Sequence, residues 1–385
     1  MNDVFKLMDG AKQFSAIVGG WITPMLLLVI LWSSSIGTSY SLAFSQDMLA
    51  TIPPMPTDTY VGFLPLVMNP TIKTTEDGIY LGVFFNPQAA MGDALRSFEA
   101  LTGKRHSIYH YYTYWGAGDF NYHKFLLDQI VGYGALPMIT FMSVPGPGNP
   151  GCGSTELNLD SINRGDHDVY LHTFASQIAQ YQSQFLLRWG HEMNLNQYSW
   201  SGYCNGRNLA ATQKFVSAYR RIVDIFHAAG ANNVKWIWSP NYDQWPPESW
   251  NNTENYYPGD SYVDWIGVVG YNFGESRSDS GYHWDTFDDI FRIFLEDAQV
   301  NHPAKPVMIA DFASSEDDGG DKAAWITEAF AEMKAYPNLR AAVYFHYNPP
   351  EYSPPLLFRI DSSADSVAAY RNAIQDGHLL STMPE

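Results

Sequence analysis

Two hydrophobic rhythms alternate along most of the chain. Short, nearly continuous apolar runs, rich in aromatic and β-branched residues, occur at 80–87 (YLGVFFNP), 107–115 (SIYHYYTYW), 136–143 (LPMITFMS), 185–194 (FLLRWGHEMN), 234–241 (VKWIWSPN), 263–272 (VDWIGVVGYN), 306–313 (PVMIADFA) and 340–348 (RAAVYFHYN). Between them lie longer stretches with apolar residues at helical spacing, among them 89–103, 212–230 and 322–336. Runs of the first kind suit strands buried on both faces, and stretches of the second kind suit helices that cover them. Eight such units between residues 79 and 375 predict an α/β fold, a (β/α)8 TIM barrel. An open doubly wound sheet is the alternative, but no glycine-rich phosphate loop follows the first run.

The N-terminal part has a different pattern. From Gln13 to Gln46 no residue carries a charge, and the stretch includes WITPMLLLVILW. That length crosses a hydrocarbon core of about 30 Å. Trp21 and Trp32 suit its interfaces, and Lys6 and Lys12 precede it. The expected layout is a cytoplasmic N-terminus at 1–15, a transmembrane anchor at 16–45 and a Pro-rich connector at 46–78. The barrel at 79–375 then lies outside the cytoplasm, in the periplasm or beyond the cell. A cleaved signal peptide ending near Ala43 is the rival reading, because SLA supplies the small residues a signal peptidase needs.

Charge narrows the partners. The 22 basic and 40 acidic residues give a net charge of −18, which repels phosphate backbones and argues against a nucleic-acid partner. Neutral ligands are not disfavoured. The two cysteines, Cys152 and Cys204, show no metal-type spacing. Outside the cytoplasm they are candidates for one disulfide; two free thiols is the other reading. No metal or cofactor is expected.

In a (β/α)8 barrel the chemistry sits at the C-terminal strand ends. Several runs here end in polar or aromatic groups: Trp115, Glu192 with Asn194, Asn241, Tyr271, Asp311 and His346. Any one of them is ordinary, but together they converge on one rim. Trp115, Trp200, Trp238 and Tyr271 are expected there as faces for sugar rings, although a single tryptophan is as readily core packing.

The order RWGHEMN, then AYRRIVDIFHAAGANNVKWIWSPN, DWIGVVGYN and KPVMIADFASSEDDGGDKAAWI, resembles glycoside hydrolase family 26, the β-mannanase family of the retaining (β/α)8 clan. The resemblance runs from about residue 80 to 350. It implies Glu192 as acid/base with His191 beside it; the positions at the strand ends and in the loops after them put Asn194, Trp115, Trp200, Trp238, Asn241, Tyr271 and Tyr344 around the substrate. Tyr344 stands where the clan usually offers a tryptophan as a floor for the reacting sugar. The family's nucleophile is a glutamate, whereas this chain has Asp311 there. Shortening the side chain withdraws the carboxylate by about one C–C bond, roughly 1.5 Å, from the ~5–5.5 Å separation of a retaining pair. Glu316, farther along the same loop, is a weaker substitute.

Three readings follow. The first is a membrane-anchored, extracytoplasmic β-glycanase acting on mannan or a related β-linked polysaccharide, with Glu192 and Asp311 as its catalytic pair. The second is a catalytically impaired, hydrolase-like domain that serves as a structural subunit of a membrane complex. The third is a carbohydrate-binding protein that keeps the cleft without the chemistry. A structural pairing of Glu192 with Arg188 or His191 stands against the first.

Overall fold

The computed structural model describes residues 78–383, apart from 87–90, 116–119, 147–150, 154–156, 276–280, 317–318, 351 and 353–354. The expected anchor at 16–45 and all but the last residue of the connector lie outside the described residues. Among the described residues, no helix is long and apolar enough to cross a membrane.

Eight parallel strands close into a (β/α)8 TIM barrel: β1 (Ile79–Phe84), β2 (Ile108–Tyr114), β3 (Leu136–Met142), β4 (Phe185–Arg188), β5 (Val234–Trp238), β6 (Trp265–Asn272), β7 (Val307–Ser314) and β8 (Leu339–Phe345). β1 pairs with both β2 and β8, which completes the circle. A two-residue strand, β9 (Leu379–Leu380), adds to β1 at the base.

Around the barrel lie α1 (Met91–Thr102), α2 (Phe120–Tyr133), α3 (Leu159–Arg164), α4 (Asp168–Ala179), α5 (Leu209–Ala228), α6 (Phe287–Asn301), α7 (Lys322–Glu332) and α8 (Ala364–Ala373). The connection from β5 to β6 uses short 3-10 turns in place of a helix. Local chemistry starts the helices. Asn208 and Asp321 cap α5 and α7 by accepting from Ala211 N and Ala324 N, and Thr286 forms a reciprocal capping box with Asp289 at α6.

Side-chain alternation divides the apolar residues into two layers. Odd positions of β1 and β2, such as Leu81, Val83, Tyr109 and Tyr111, face the helices, and so does Tyr344 of β8. Tyr80, Ile108, Met138, Leu186, Ile237, Trp265 and Met308 fill the barrel interior. Above them the inward positions become polar, and the candidate chemistry sits there.

Two departures from regular geometry shape this upper layer. β4 stops at Arg188, six residues before the apolar run ends in the sequence. Gly190 then takes φ 67° and Glu192 takes φ 52°. At Gly190 an added Cβ would also come within 2.6 Å of Phe215, so only glycine fits. The second departure is a bulge in β7. Against β6, Val268 faces Ile309 and Val269 faces Asp311, which leaves Ala310 as an extra residue. The β7–β8 pairing shows the same surplus between Ile309 and Phe312.

Candidate active site

The bulge aims Asp311. Met308 and Ala310 face the barrel interior, so simple alternation would send Asp311 out toward the helices. The extra residue reverses the phase and turns its carboxylate inward, as bulges beside active sites commonly do.

Asp311 is fully buried, and polar groups from β2 and β4 surround it. Oδ2 accepts from Arg188 Nη2 at 2.6 Å and from the Tyr112 hydroxyl at 3.0 Å. Oδ1 lies 3.0 Å from His110 Nδ1. Arg188 Nε donates to Thr140 Oγ1 at 2.8 Å, and Thr140 Oγ1 lies 2.7 Å from His110 Nε2. One proton arrangement satisfies this chain. Arg188 donates to Thr140, Thr140 donates to His110 Nε2, and His110 donates through Nδ1 to Asp311. Burial lowers the His110 pKa more than Asp311 raises it, which favours the neutral ring that this arrangement needs. Burial by itself pushes the Asp311 carboxyl up, but Arg188 and His110 outweigh it and hold it at about 2. Asp311 is therefore ionised at any ordinary pH.

Glu192 sits in the turn after β4 with a backbone that non-glycine residues seldom adopt. Its amide donates to Ser239 O at 2.8 Å, which pins the turn to the end of β5. Oε1 accepts from Asn241 Nδ2 at 2.7 Å and Oε2 from the Tyr198 hydroxyl at 3.0 Å. Burial raises the carboxyl above its ordinary value, and the bonds from Asn241 and Tyr198 restrain the rise. The molecule thus holds two carboxyl groups whose surroundings drive them apart, one toward the acid form and one firmly anionic. Divergence of this kind separates the acid from the anionic partner in glycoside hydrolysis. The alternative pairing of Glu192 with Arg188 is not what forms: Arg188 bonds Asp311.

The other expected residues divide into two groups. His191 is buried beside Glu192, with Nε2 4.0 Å from Oε2 and no hydrogen-bond partner on either ring nitrogen among the described residues. Burial, with Arg188 adding to it, keeps that ring neutral. Tyr271 stands at the barrel mouth, its ring 5.3 Å from Phe345 and 5.2 Å from Phe358. Asn241 reaches the site, but as the donor that holds Glu192. Asn194 is fully buried, and it ties the turn after β4 to the next loop by donating to Asn241 O and Asp243 O and accepting from Asn241 N.

Four aromatic expectations are corrected. Trp115 packs on Phe141 and Tyr170, and Trp238 packs on Tyr257, both on the helix side of the sheet. Trp200 is completely buried and donates from Nε1 to His191 O at 2.8 Å. Tyr344 points away from the barrel axis and donates to Phe358 O at 2.9 Å. Strand alternation explains this last case: its neighbour Phe345 faces inward and stacks on Phe84 at 4.5 Å. Glu316 is also excluded as a substitute carboxylate, because its Oε2 accepts from the hydroxyls of Ser362, Ser363 and Ser366 at the start of α8.

Sequence reasoning missed His110, Tyr112, Thr140, Ser239 and Tyr198, as well as the inward rings Phe84, Phe345 and Tyr347. Counting alternate positions from the inward Ile108 would have found His110 and Tyr112, and counting from Leu186 would have turned Arg188 inward. No local signal marks Tyr198, which a loop brings to the site. Cys152 and Cys204 form a disulfide between the loops after β3 and β4. Among the described residues no cluster of three or more His, Cys, Asp or Glu side chains is arranged to hold a metal ion.

A parallel barrel whose mouth holds one protonatable and one anionic carboxyl is the framework of a glycoside hydrolase. Residues 155–317 match the family described as glycosyl hydrolase family 26. The chain is 36% identical over 305 residues to endoglucanase H of Acetivibrio thermocellus, covering 78% of this chain and 31% of that protein's length. The β-mannanase BoMan26A from Bacteroides ovatus superposes over 80% of this chain and 91% of its own with a TM-score of 0.57 at 15% identity. A double mutant of the Cellulomonas fimi endo-β-1,4-mannanase superposes over 79% and 72% with a TM-score of 0.57 at 15% identity. At such identities the structural neighbours show the fold. The family-model match and the identity to endoglucanase H together place the barrel segment 155–317 in glycosyl hydrolase family 26.

Proposed function

We propose that the barrel is an endo-acting β-glycanase in which Glu192 is the general acid/base and Asp311 the anionic partner. The observation that carries this reading is the contrast between the two carboxyl groups: Asp311 is bonded to Arg188 and His110, while Glu192 is buried with only the neutral donors Asn241 and Tyr198. Glu192 protonates the leaving glycosidic oxygen. Asp311, preorganised by Arg188, His110 and Tyr112, faces the positive charge that develops at the anomeric carbon. A carboxylate held near 2 is a weak base for activating water. That favours direct attack, and so retention of configuration, over an inverting route. β-Linked glucan is the first substrate to try, because the relative with substantial identity is named an endoglucanase; mannan and glucomannan follow from the resemblance of the motifs.

The Cys152–Cys204 bridge supports an oxidising, extracytoplasmic location. The uncharged stretch Gln13–Gln46 supports an anchor at 16–45 in the lipid bilayer with the N-terminus inside. A second reading is favoured by the complete burial of Asp311 and the occupation of both its oxygens: an impaired hydrolase domain acting as a subunit of a membrane complex.

The test is reducing-sugar release from mixed-linkage glucan, glucomannan and mannan by the full chain in detergent, beside Glu192→Gln and Asp311→Glu. Wild-type activity that disappears in Glu192→Gln supports the glycanase, and the anomer formed first reports whether Asp311 attacks directly. A silent wild type with an active Asp311→Glu marks a disabled enzyme. Silence of all three folded proteins favours the subunit.

A further inference from the structure

The loop after β4 carries more than Glu192. It runs over the site and returns through Tyr198, Trp200 and Cys204. The rings of Tyr198 and Trp200 stack at 4.6 Å with an interplanar angle of 7°, and the His191 ring lies 4.7 Å from Tyr198. Trp200 bonds the His191 carbonyl, Gly202 N donates to Met193 O at 3.3 Å, and Asn205 Nδ2 donates to Ser199 O and Ser201 O. The loop is therefore a folded unit that presents one hydroxyl, that of Tyr198, to Glu192.

Asn196 and Gln197, just before Tyr198, are exposed, so little packing holds that side of the unit. The disulfide supplies a tether there. Both sulfurs lie close to the Asn196 carbonyl, at 3.9 Å for Cys152 and 4.0 Å for Cys204. The bridge clamps the 3-10 turn Gly151–Gly153 after β3 onto the turn Tyr203–Asn205 that ends the unit. Cys152 is exposed and open to a reductant.

We infer that Tyr198 is a positioning residue that sets the protonation of Glu192, and that the Cys152–Cys204 bridge holds its hydroxyl in place, so that reducing the bridge retunes the acid. This rests on the reading of Glu192 as the acid. A hydroxyl that donates to a carboxylate stabilises the ionised form; losing that bond raises the carboxyl further. The other groups that face Glu192 are fixed by different elements: Tyr112 by β2, Arg188 by β4, His191 by the turn, Asn241 by the β5 end, Tyr271 by β6 and Asp311 by β7. Of these, only His191 shares the loop that the bridge closes, and burial keeps its ring neutral.

The experiment follows Glu192 directly by 13C NMR titration of the full chain labelled with [5-13C]glutamate, the resonance being assigned by its loss in Glu192→Gln. Tyr198→Phe, which keeps the ring stack, is expected to raise the Glu192 midpoint by about one unit. Cys152→Ser with Cys204→Ser, or reduction of the folded wild type in place, is expected to raise it in the same direction. Tyr198→Phe in the bridge-free background is expected to add little, because the two changes break one linkage. Where hydrolysis is measurable, the alkaline limb of the pH–rate profile moves up by the same amount. A midpoint that ignores the bridge, or shifts that simply add, overturns the inference. Activity that survives Glu192→Gln overturns the assignment of the acid instead, while the titration still reports the coupling. If the serine variant does not fold, reduction of the wild type in place decides.

Discussion

Glu192 and Asp311 share one barrel mouth, yet the protein fixes them by different means. Asp311 stands on a strand inside the sheet, and its ligands come from β2 and β4, whose positions the barrel hydrogen bonds set. Glu192 stands in a turn with a left-handed backbone, and its ligands Asn241 and Tyr198 come from connecting segments. In the proposed reaction the rigid half supplies a permanent charge, which needs preorganisation, and the looped half supplies a proton, which needs a group that can both hold and release one.

The largest effect expected is on turnover. Glu192→Gln removes the proposed proton donor and should lower kcat by on the order of 10² to 10⁴, read by reducing-sugar release. A variant within threefold of wild type breaks the assignment of roles.

Arg188→Met should have the next largest effect, on stability. It leaves Asp311 buried without its cation, a situation that typically costs about 3–5 kcal/mol, read from urea unfolding at pH 7. The deficit should shrink as the pH falls and Asp311 takes up a proton. A neutral result would mean that Asp311 is not held as an anion.

The pH dependence of stability should separate the two carboxyls by sign. Asp311 titrates below its ordinary 3.8 in the folded chain. Its contribution is complete above that value and is lost as the pH falls toward about 2. Glu192 titrates above its ordinary 4.5, so ionisation there costs stability once the pH passes that value. Relative to wild type, Asp311→Asn should be less stable at neutral pH, with the gap closing only in strong acid. Glu192→Gln should be more stable at neutral pH, with the gap closing as the pH falls below about 4.5. Thermal melts across pH 2–8 check both, and two gaps of the same sign would remove the contrast.

The smallest effect tests which ring faces the cleft. Tyr344→Phe leaves the Phe358 carbonyl without its donor and should cost about 1 kcal/mol in stability without changing KM. Phe345→Ala should change KM for the same substrate. The reverse pattern would restore Tyr344 as the sugar-facing residue.

The elements were largely legible in the sequence. The apolar runs and amphipathic stretches recover all eight barrel strands within a few residues, because each is buried on both faces and local pattern is enough to show it. The largest boundary error falls at 185–194, where apolar residues continue past the strand into a turn that packs just as tightly. The helix missing between β5 and β6 also left no periodic pattern to misread.

Within the site, the sequence by itself placed Glu192 and Asp311 late in their apolar runs, put a histidine directly before Glu192, and made the second carboxylate one methylene shorter than the glutamate that the family resemblance leads one to expect. These are facts of residue identity, and the motif order carries them. The tertiary structure decided which way the side chains point and what they meet. A single extra residue in β7 turns Asp311 from the helix side to the barrel axis. Alternation turns Phe345 rather than Tyr344 toward the barrel interior. Thr140 and His110, from neighbouring strands, complete the chain of donors that keeps Asp311 charged. The physical reason is common to all of these: side-chain direction in a sheet depends on register, and the ionisation of a buried carboxyl depends on neighbours that are distant in sequence.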